Sequence, residues 1–296
     1  MQMTGPLVSI GMSVRNSASS IAATMRSVLR QSFADWEMIL IDDGSVDGTL
    51  HIVRGFDDQR IRVIADGQNR GLAVRLNQTI ALAQGRYFAR LDGDDVCFPE
   101  RLERQVAYLE SHPGVDLLAT GGIVFDSGGR ALGRRFAPLD HRAICAHPWS
   151  GFYFAHPSWM GRVEWFRRHG YSERAVKSQD YDLLLRTHRS SSFAALPDRL
   201  IGYREERLSL RKNLASRWHT MLAQARFARE TGEWPRFMLG AGEQFTKACY
   251  ELVVVSFGLE RRMLGHRALP LDDTDLRVWN SLWRELVAEE DLPCAG

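Results

Sequence analysis

Three carboxylates stand within four residues at Asp92-Gly93-Asp94-Asp95, directly after an apolar run at 87–91. Acids packed this closely repel one another unless a cation sits among them, and Mg²⁺ or Mn²⁺ favours such oxygen donors. The plainer reading is a solvated turn that caps a helix starting near Pro99. A second acidic cluster, Ile41-Asp42-Asp43-Gly44-Ser45-Val46-Asp47-Gly48-Thr49, also follows an apolar run. A carboxylate at a strand end can accept hydrogen bonds from a nucleobase N–H or a ribose hydroxyl, and Gly44 and Gly48 permit tight turning. Ser45 or Asp47 can equally cap the helix that follows, and the two roles are compatible. The third cluster, Asn69-Arg70-Gly71-Leu72-Ala73-Val74-Arg75-Leu76-Asn77, puts a glycine at a helix start with Arg75 one turn in. Helix N-termini attract phosphate; an ordinary helix entry with an exposed Arg is the alternative.

The elements that must position these clusters alternate along the first 125 residues. Apolar runs at 7–12, 37–41, 61–65, 87–91 and 115–119 read as buried strands. Helical spacing covers 19–31, 46–56, 72–84 and 99–111, with Gly85 expected as the C-cap of the third helix. Strands separated by helices imply an α/β fold with a mostly parallel sheet covered on both faces. Ligands of such sheets bind at the carboxyl ends of the strands, where Ser13–Asn16, Asp42–Ser45 and Asp92–Asp95 fall after the first, second and fourth strands. Residues 120–210 are less periodic and read as mixed α+β with long loops. From about 210 the pattern is helical to the end, broken near Pro235 and around 264–273.

Composition narrows the classes. The 296 residues carry 38 Lys and Arg against 36 Asp and Glu, a net charge of +2, which gives no support for a nucleic-acid binder. Hydrophobic residues at 45% and charged residues at 25% fit a globular chain with a full core. Cys97, Cys145, Cys249 and Cys294 show no metal-type spacing, so a reducing compartment is expected. The start of the chain runs straight into a strand-like segment, so no secretory signal is expected. The apolar run at 252–259 is far shorter than the ~20 residues that span a bilayer.

The ordered set of motifs resembles family 2 of the nucleotide-sugar-dependent glycosyltransferases, which have the GT-A fold. The matching residues are Val8-Ser9-Ile10 with Val14-Arg15-Asn16, then Gln31-Ser32-Phe33-Ala34-Asp35-Trp36-Glu37, then the Asp42-Asp43 and Asn69-Arg70-Gly71 clusters. Ala83-Gln84-Gly85-Arg86-Tyr87, Leu91-Asp92-Gly93-Asp94-Asp95 and Pro99-Glu100-Arg101-Leu102 complete them. The match is strong over about 6–120 and continues more weakly to Ser209.

The resemblance implies a GT-A, Rossmann-like sheet flanked by helices, and an inverting sugar transfer from a nucleotide-diphosphate sugar, with a UDP-sugar as the expected donor. It implies that Asp43 binds the base and that Asp94 holds an Mn²⁺ or Mg²⁺ ion bridging the diphosphate. Asp92 and Gly93 would lie toward the ribose, with Asp92 also near the metal. Ser13 and Arg15 occupy the positions flanking the base, where the family commonly has Pro or Thr and then Tyr. At 74, where the family often has Lys or Arg, this chain has Val, so Arg75 or Arg70 is expected to make the phosphate contact. Ser178-Gln179-Asp180-Tyr181-Asp182-Leu183-Leu184-Leu185-Arg186 resembles the family's Glu-Asp-Tyr-Asp-Leu-x-x-Arg segment, which makes Asp180 the general base and leaves Gln179 in place of the usual Glu. The alternative for Asp180 is an N-cap. Ala155-His156-Pro157-Ser158-Trp159-Met160 resembles the stretch before the acceptor site, implying that His156 meets donor sugar or acceptor. Tyr203-Arg204-Glu205-Glu206-Arg207-Leu208-Ser209 resembles a Tyr-Arg-x-His-x-x-Ser tail with Glu206 in place of the His, a carboxylate able to approach the metal.

The expected organisation is a catalytic GT-A domain over 1–210, with a nucleotide-binding half at 1–120 and an acceptor-binding half at 121–210, followed by a helical region at 211–296. Trp218, Phe227, Trp234, Phe237, Phe245, Tyr250 and Phe257 read as core or as contacts of a homodimer formed through the C-terminal helices. The family builds cell-surface polysaccharides, lipopolysaccharide or glycolipids. The implied acceptor is therefore a glycan or lipid-linked glycan. The expected location is the cytoplasm, with peripheral contact to the inner face of the membrane left open, in part by Arg261-Arg262. A sugar-phosphate nucleotidyltransferase or a dinucleotide-dependent oxidoreductase would need a glycine-rich loop after the first strand, and Ser13-Val14-Arg15-Asn16-Ser17 has no glycine. The remaining alternative is a non-catalytic GT-A-like nucleotide-sugar-binding or scaffold protein.

Overall fold

The first four strands are β1 (Val8–Val14), β2 (Trp36–Asp42), β3 (Ile61–Ala65) and β4 (Tyr87–Asp92), linked through α1 (Ile21–Leu29), α2 (Thr49–Arg54) and α3 (Leu72–Leu82). The computed structural model describes residues 5–205, 210–256 and 269–288. These strands pair in parallel in the order β3-β2-β1-β4. Their side chains alternate between two cores, Met38 and Leu40 facing one and Ile39 and Ile41 the other. The first core takes Ile21, Met25 and Val28 of α1 and Leu102 and Val106 of α4 (Arg101–Ser111). The second takes Leu76 and Ile80 of α3 and Leu183 and Leu184 of α7 (Gln179–Thr187). Burial on both faces explains the apolar character of β1, β2 and β4, whereas β3, at the edge of the sheet, is only partly buried.

Past β4 the sheet becomes mixed. The short β8 (Met160–Arg162) lies antiparallel to β4, followed by β6 (Leu117–Phe125), β9 (Phe193–Arg204) and the two-residue β5 (Val96–Cys97). β7 (Ala131–Arg135) pairs with β6, and β6 with β9 is the one parallel pair here. Residues 120–210 therefore hold strands of the same sheet, interspersed with α5 (His141–Ile144), a 3-10 turn at His156–Ser158 and α6 (Val163–His169).

Two local expectations change. Helix α3 ends with Ala83 as its C-cap, and Gly85 is required for packing instead: a Cβ there would stand 2.7 Å from the Ser9 nitrogen. Helix α2 starts at Thr49 rather than near Val46, because the preceding loop is tied to the β1 loop. Asn16 accepts from the Val46 amide at 2.9 Å, and Asp47 accepts from the Thr49 and Ala18 amides at 3.0 and 3.1 Å.

The C-terminal region is helical. α8 (Leu210–Thr231) and α9 (Trp234–Ser256) pack on each other and on α7, whereas α10 (Asp273–Val287) returns to the sheet. Trp279 of α10 is fully buried against Phe98 and Phe125 and donates to the Gly129 carbonyl at 2.8 Å. A Cβ on Gly202 would stand 2.5 Å from its ring, so strand β9 is shaped to receive it. Of the aromatic residues expected in a core or dimer contact, Phe227 is buried and Phe237 partly so, but Trp218, Trp234, Phe245 and Tyr250 are exposed; Phe257 lies outside the described residues.

Candidate active site

Strand register brings the polar clusters to one edge. Ser13 of β1 lies opposite Ile41 of β2 on one side and Asp92 of β4 on the other, so it stands between the two acidic clusters. The turn after β4 is tight: a Cβ on Gly93 would meet Val14 at 2.6 Å. One oxygen from each of Asp92, Asp94 and Asp95 lies within 4.8 Å of the others. Asp92 is half-buried and receives the Arg90 guanidinium. The Asp94 carboxyl is pushed up to about 6, first by desolvation and then by the charge of Asp92. Burial, followed by Asp92 and Asp94, raises buried Asp95 well above its ordinary value. Oδ1 of Asp95 accepts from the Arg204 amide at 2.7 Å, while Oδ2 is buried without a hydrogen-bond partner. This makes Asp95 part of the acid cluster and not a cap of α4, whose N-cap position is Glu100. An all-oxygen set with suppressed ionisation and an orphaned buried oxygen fits a hard divalent cation.

The second cluster lies at the end of β2, separated from the first by β1. Asp43 is buried, and its carboxylate accepts from the Arg70 and Gly71 amides at 2.7 and 3.0 Å and from Arg75 Nε at 2.8 Å. Gly71, at φ 88, takes the left-handed geometry that aims these amides. With its amide oriented to satisfy both neighbours, Asn69 links Asp43 Oδ2 (2.9 Å) to Arg15 Nη1 (2.8 Å). Exposed Arg15 is thereby tied through Asn69 to Asp43.

Arg75 departs from its expected phosphate contact. It is fully buried, and its guanidinium is occupied by Asp43, Asp66 and Gln78. It holds the Asp43 carboxylate from beneath, which leaves no donor facing the cleft.

Asp180 occupies the second position of α7, with Gln179 at the first and Ser178 as N-cap. It is therefore a first-turn residue and not the N-cap. Burial raises its carboxyl pKa, while Arg90 and the helix-start amides favour the charged form and Asp92 opposes it. Asp180 and Asp92 are thus within electrostatic reach of each other. His156 is buried in the wall, its Nε2 within 2.8 Å of the Tyr171 hydroxyl and its ring edge-on to Trp159. Burial and Arg90 push it well below its ordinary pKa, so it is neutral. Glu206 lies outside the described residues.

Arg90 is the residue that sequence reasoning missed. It is 2% exposed, and its Nε and Nη1 lack hydrogen-bond partners. Its charge acts on Asp92, Asp94, Asp95, His156, Tyr171 and Asp180 alike. A cation inside the apolar run Tyr87-Phe88-Ala89-Arg90-Leu91 was the available signal, since arginine is seldom fully buried unless paired.

The family model for glycosyl transferase family 2 matches residues 9–170. The chain belongs to this family. It is 39% identical over 189 residues to the putative glycosyltransferase EpsE of Bacillus subtilis, covering 62% of this chain and 67% of EpsE. It is 38% identical over 103 residues to the Escherichia coli UDP-Glc:alpha-D-GlcNAc-diphosphoundecaprenol beta-1,3-glucosyltransferase WfgD, covering 35% of this chain and 41% of WfgD. Among solved structures, the Pyrobaculum calidifontis mannosyltransferase PcManGT, in complex with GDP-Man and Mn²⁺, superposes with a TM-score of 0.58 at 17% identity, covering 98% of this chain and 78% of that one. That likeness shows the GT-A architecture of the family 2 chain, including its helical C-terminal part. No described helix is long and apolar enough to cross a membrane.

Proposed function

We propose that this family 2 glycosyltransferase moves a hexosyl group from a nucleotide-diphosphate sugar, a UDP-sugar in the first instance, to an acceptor hydroxyl with inversion. The observation that carries this reading is the pairing of a three-carboxylate cluster at the end of β4 with Asp180 within electrostatic reach of it. The base would sit by Asp43 and Arg15, with the ribose toward Ser13, Asp92 and Gly93. Asp94, Asp92 and Asp95 would hold Mn²⁺ or Mg²⁺, which when bound neutralises the diphosphate and makes it a better leaving group. Mn²⁺ accompanies GDP-Man in PcManGT, which supports a divalent cation here.

Asp180 accepts the proton of the acceptor hydroxyl as that oxygen forms its bond to the anomeric carbon. The bond from that carbon to the diphosphate oxygen breaks, and its electron pair leaves with the diphosphate. A carboxylate above its ordinary pKa is a stronger proton acceptor, provided it stays ionised at the working pH. Arg90 maintains that ionisation from below, and neutral His156 with Tyr171 walls the site against water. The acceptor is a glycan or lipid-linked glycan, in keeping with the diphosphoundecaprenol-linked substrate in WfgD's name. Gln179, in the first turn of α7, would face that acceptor.

A panel of UDP- and GDP-sugars with Mn²⁺ or Mg²⁺ tests this reading through thermal shift and release of free nucleotide diphosphate. At least one donor should raise Tm and turn over. Asp180→Asn should lose about 10²–10⁴ in kcat with donor affinity kept, and Asp94→Ala should lose metal-dependent donor binding. Full activity in both variants refutes the mechanism. Donor binding without turnover by the parent protein favours the binding or scaffold role.

A further inference from the structure

The start of α7 is gripped by α8 on both flanks of Asp180. The Ser178 hydroxyl donates to the His219 carbonyl at 3.2 Å, the Tyr181 hydroxyl accepts from Gln224 Nε2 at 3.1 Å, and Asp182 Oδ1 accepts from Arg226 Nη2 at 3.4 Å. Ser178 holds the N-cap position of α7, yet its side chain makes no capping bond. A serine there ordinarily satisfies its own helix, and this one bonds to α8 instead. Lys177, just before it, has φ 60. That left-handed geometry costs a lysine about 1–2 kcal/mol and persists where the surroundings impose it.

Gln224 is the middle of this contact. It is fully buried, and its Nε2 also donates to the Trp149 carbonyl at 2.5 Å. The neighbouring Pro148 carbonyl accepts from the Tyr181 hydroxyl at 2.9 Å. One side-chain amide therefore ties the first turn of α7 to the backbone at 148–149. A Cβ on Gly240 of α9 would stand 3.0 Å from the Trp149 oxygen and 3.1 Å from Gln224 Nε2, so α9 closes tightly over the pair. Gln224 Oε1 is buried without a hydrogen-bond partner. An apolar side chain of similar size would avoid that cost, so stability alone does not account for an amide here.

We infer that α8 positions the general base: Gln224 and Arg226, acting through Tyr181 and Asp182, fix the first turn of α7 and with it the direction of the Asp180 carboxylate. The inference rests on the reading of Asp180 as the base and deepens it, giving the C-terminal helices a part in the transfer. Gln224 and Arg226 are positioning residues, and neither bonds to the polar groups at the ends of β1, β2 and β4. Their loss misdirects the proton acceptor and leaves those groups in place. Proton transfer should therefore slow while donor binding is kept.

Hydrolysis of a UDP-sugar by the full chain with Mn²⁺, water taking the place of the acceptor, tests this beside a donor titration and a thermal melt. Gln224→Leu and Arg226→Met should each lose about ten- to a hundredfold in kcat, the scale of an ångström's misplacement. Donor Kd should stay within about twofold of the parent. Arg226→Lys, which keeps a cation beside Asp182, should recover most of the lost kcat. Should Gln224→Leu lose its cooperative melt, Arg226→Met makes the same comparison, because Arg226 is only half-buried and Asp182 keeps Arg186 Nε at 2.8 Å. Folded variants with parent-like kcat overturn the inference, as does a loss of donor affinity equal to the loss of kcat, or an Arg226→Lys no better than Arg226→Met. Full activity in Asp180→Asn removes the base reading itself; loss of activity there, with parent-like kcat in the α8 variants, overturns the positioning role alone.

Discussion

Replacing Arg75 with Gln separates two roles for this side chain. If Arg75 held a donor phosphate, its loss would leave the ligand-free protein intact and weaken only donor binding. The structure puts it under Asp43 with no exposure, its Nε 2.8 Å from a carboxylate whose side chain is 6% exposed. Removing one partner of a buried pair costs about 3–5 kcal/mol. Asp43 keeps the Arg70 and Gly71 amides at 2.7 and 3.0 Å, which offset part of the loss. The expected destabilisation is therefore about 2–4 kcal/mol, with roughly 3–6 °C off the melting temperature for a chain of this size. Calorimetry or a thermal melt without ligand reads it directly. A double-mutant cycle with Asp43→Asn should show coupling of at least 1 kcal/mol, the scale expected for contacting residues. A ligand-free Tm within about 1 °C of the parent, together with a weakened donor Kd, would refute the reasoning and restore the phosphate contact.

Asp94, at about 6, and Asp95, raised well above 3.8, bind protons more tightly in the folded than in the unfolded chain. Metal-free stability should therefore rise as pH falls from 8 through about 6. Saturating Mn²⁺ should add about 2.7 kcal/mol at a hundred times its Kd and flatten that rise; a Tm that falls as pH is lowered from 8 to 6 without metal sinks the assignment. Trp279→Ala removes a side chain with no exposure from the α10 contact and should cost about 3–5 kcal/mol in a denaturant titration. A loss below 1 kcal/mol would mean that α10 does not share the core of the sheet.

The four parallel strands and the acids at their ends were legible in the sequence. Each strand is a local apolar run, buried on both faces in β1, β2 and β4 and partly buried in the edge strand β3, and each turn is a local polar string. The family motifs are local in the same sense, so Asp43, Asp92, Asp94 and Asp180 could be singled out before any contact was known. Residues 120–210 were less legible, because β6 and β9 find each other across three intervening helices and a register shift.

Tertiary structure alone decided which charges are sheltered. Spacing marks Arg75 as a helix-start cation, but only packing shows that it faces inward to Asp43 and Asp66. Arg90 reads as a single interruption of a strand until the fold pairs it with Asp92 and brings Asp94, Asp95 and Asp180 within reach of its charge. The C-terminal helices make the same point. The period of α9 reveals a stripe but not which side the rest of the chain covers, and the burial of Glu251 beside Arg217 turns the apolar side out. The place of α10 rests on Trp279 meeting Gly129 and Gly202, partners remote in sequence that become neighbours only once the sheet has formed. Local pattern determined the elements and the chemistry available to them; long-range contacts determined which groups remain free to use it, because desolvation and charge pairing depend on neighbours that the local sequence does not contain.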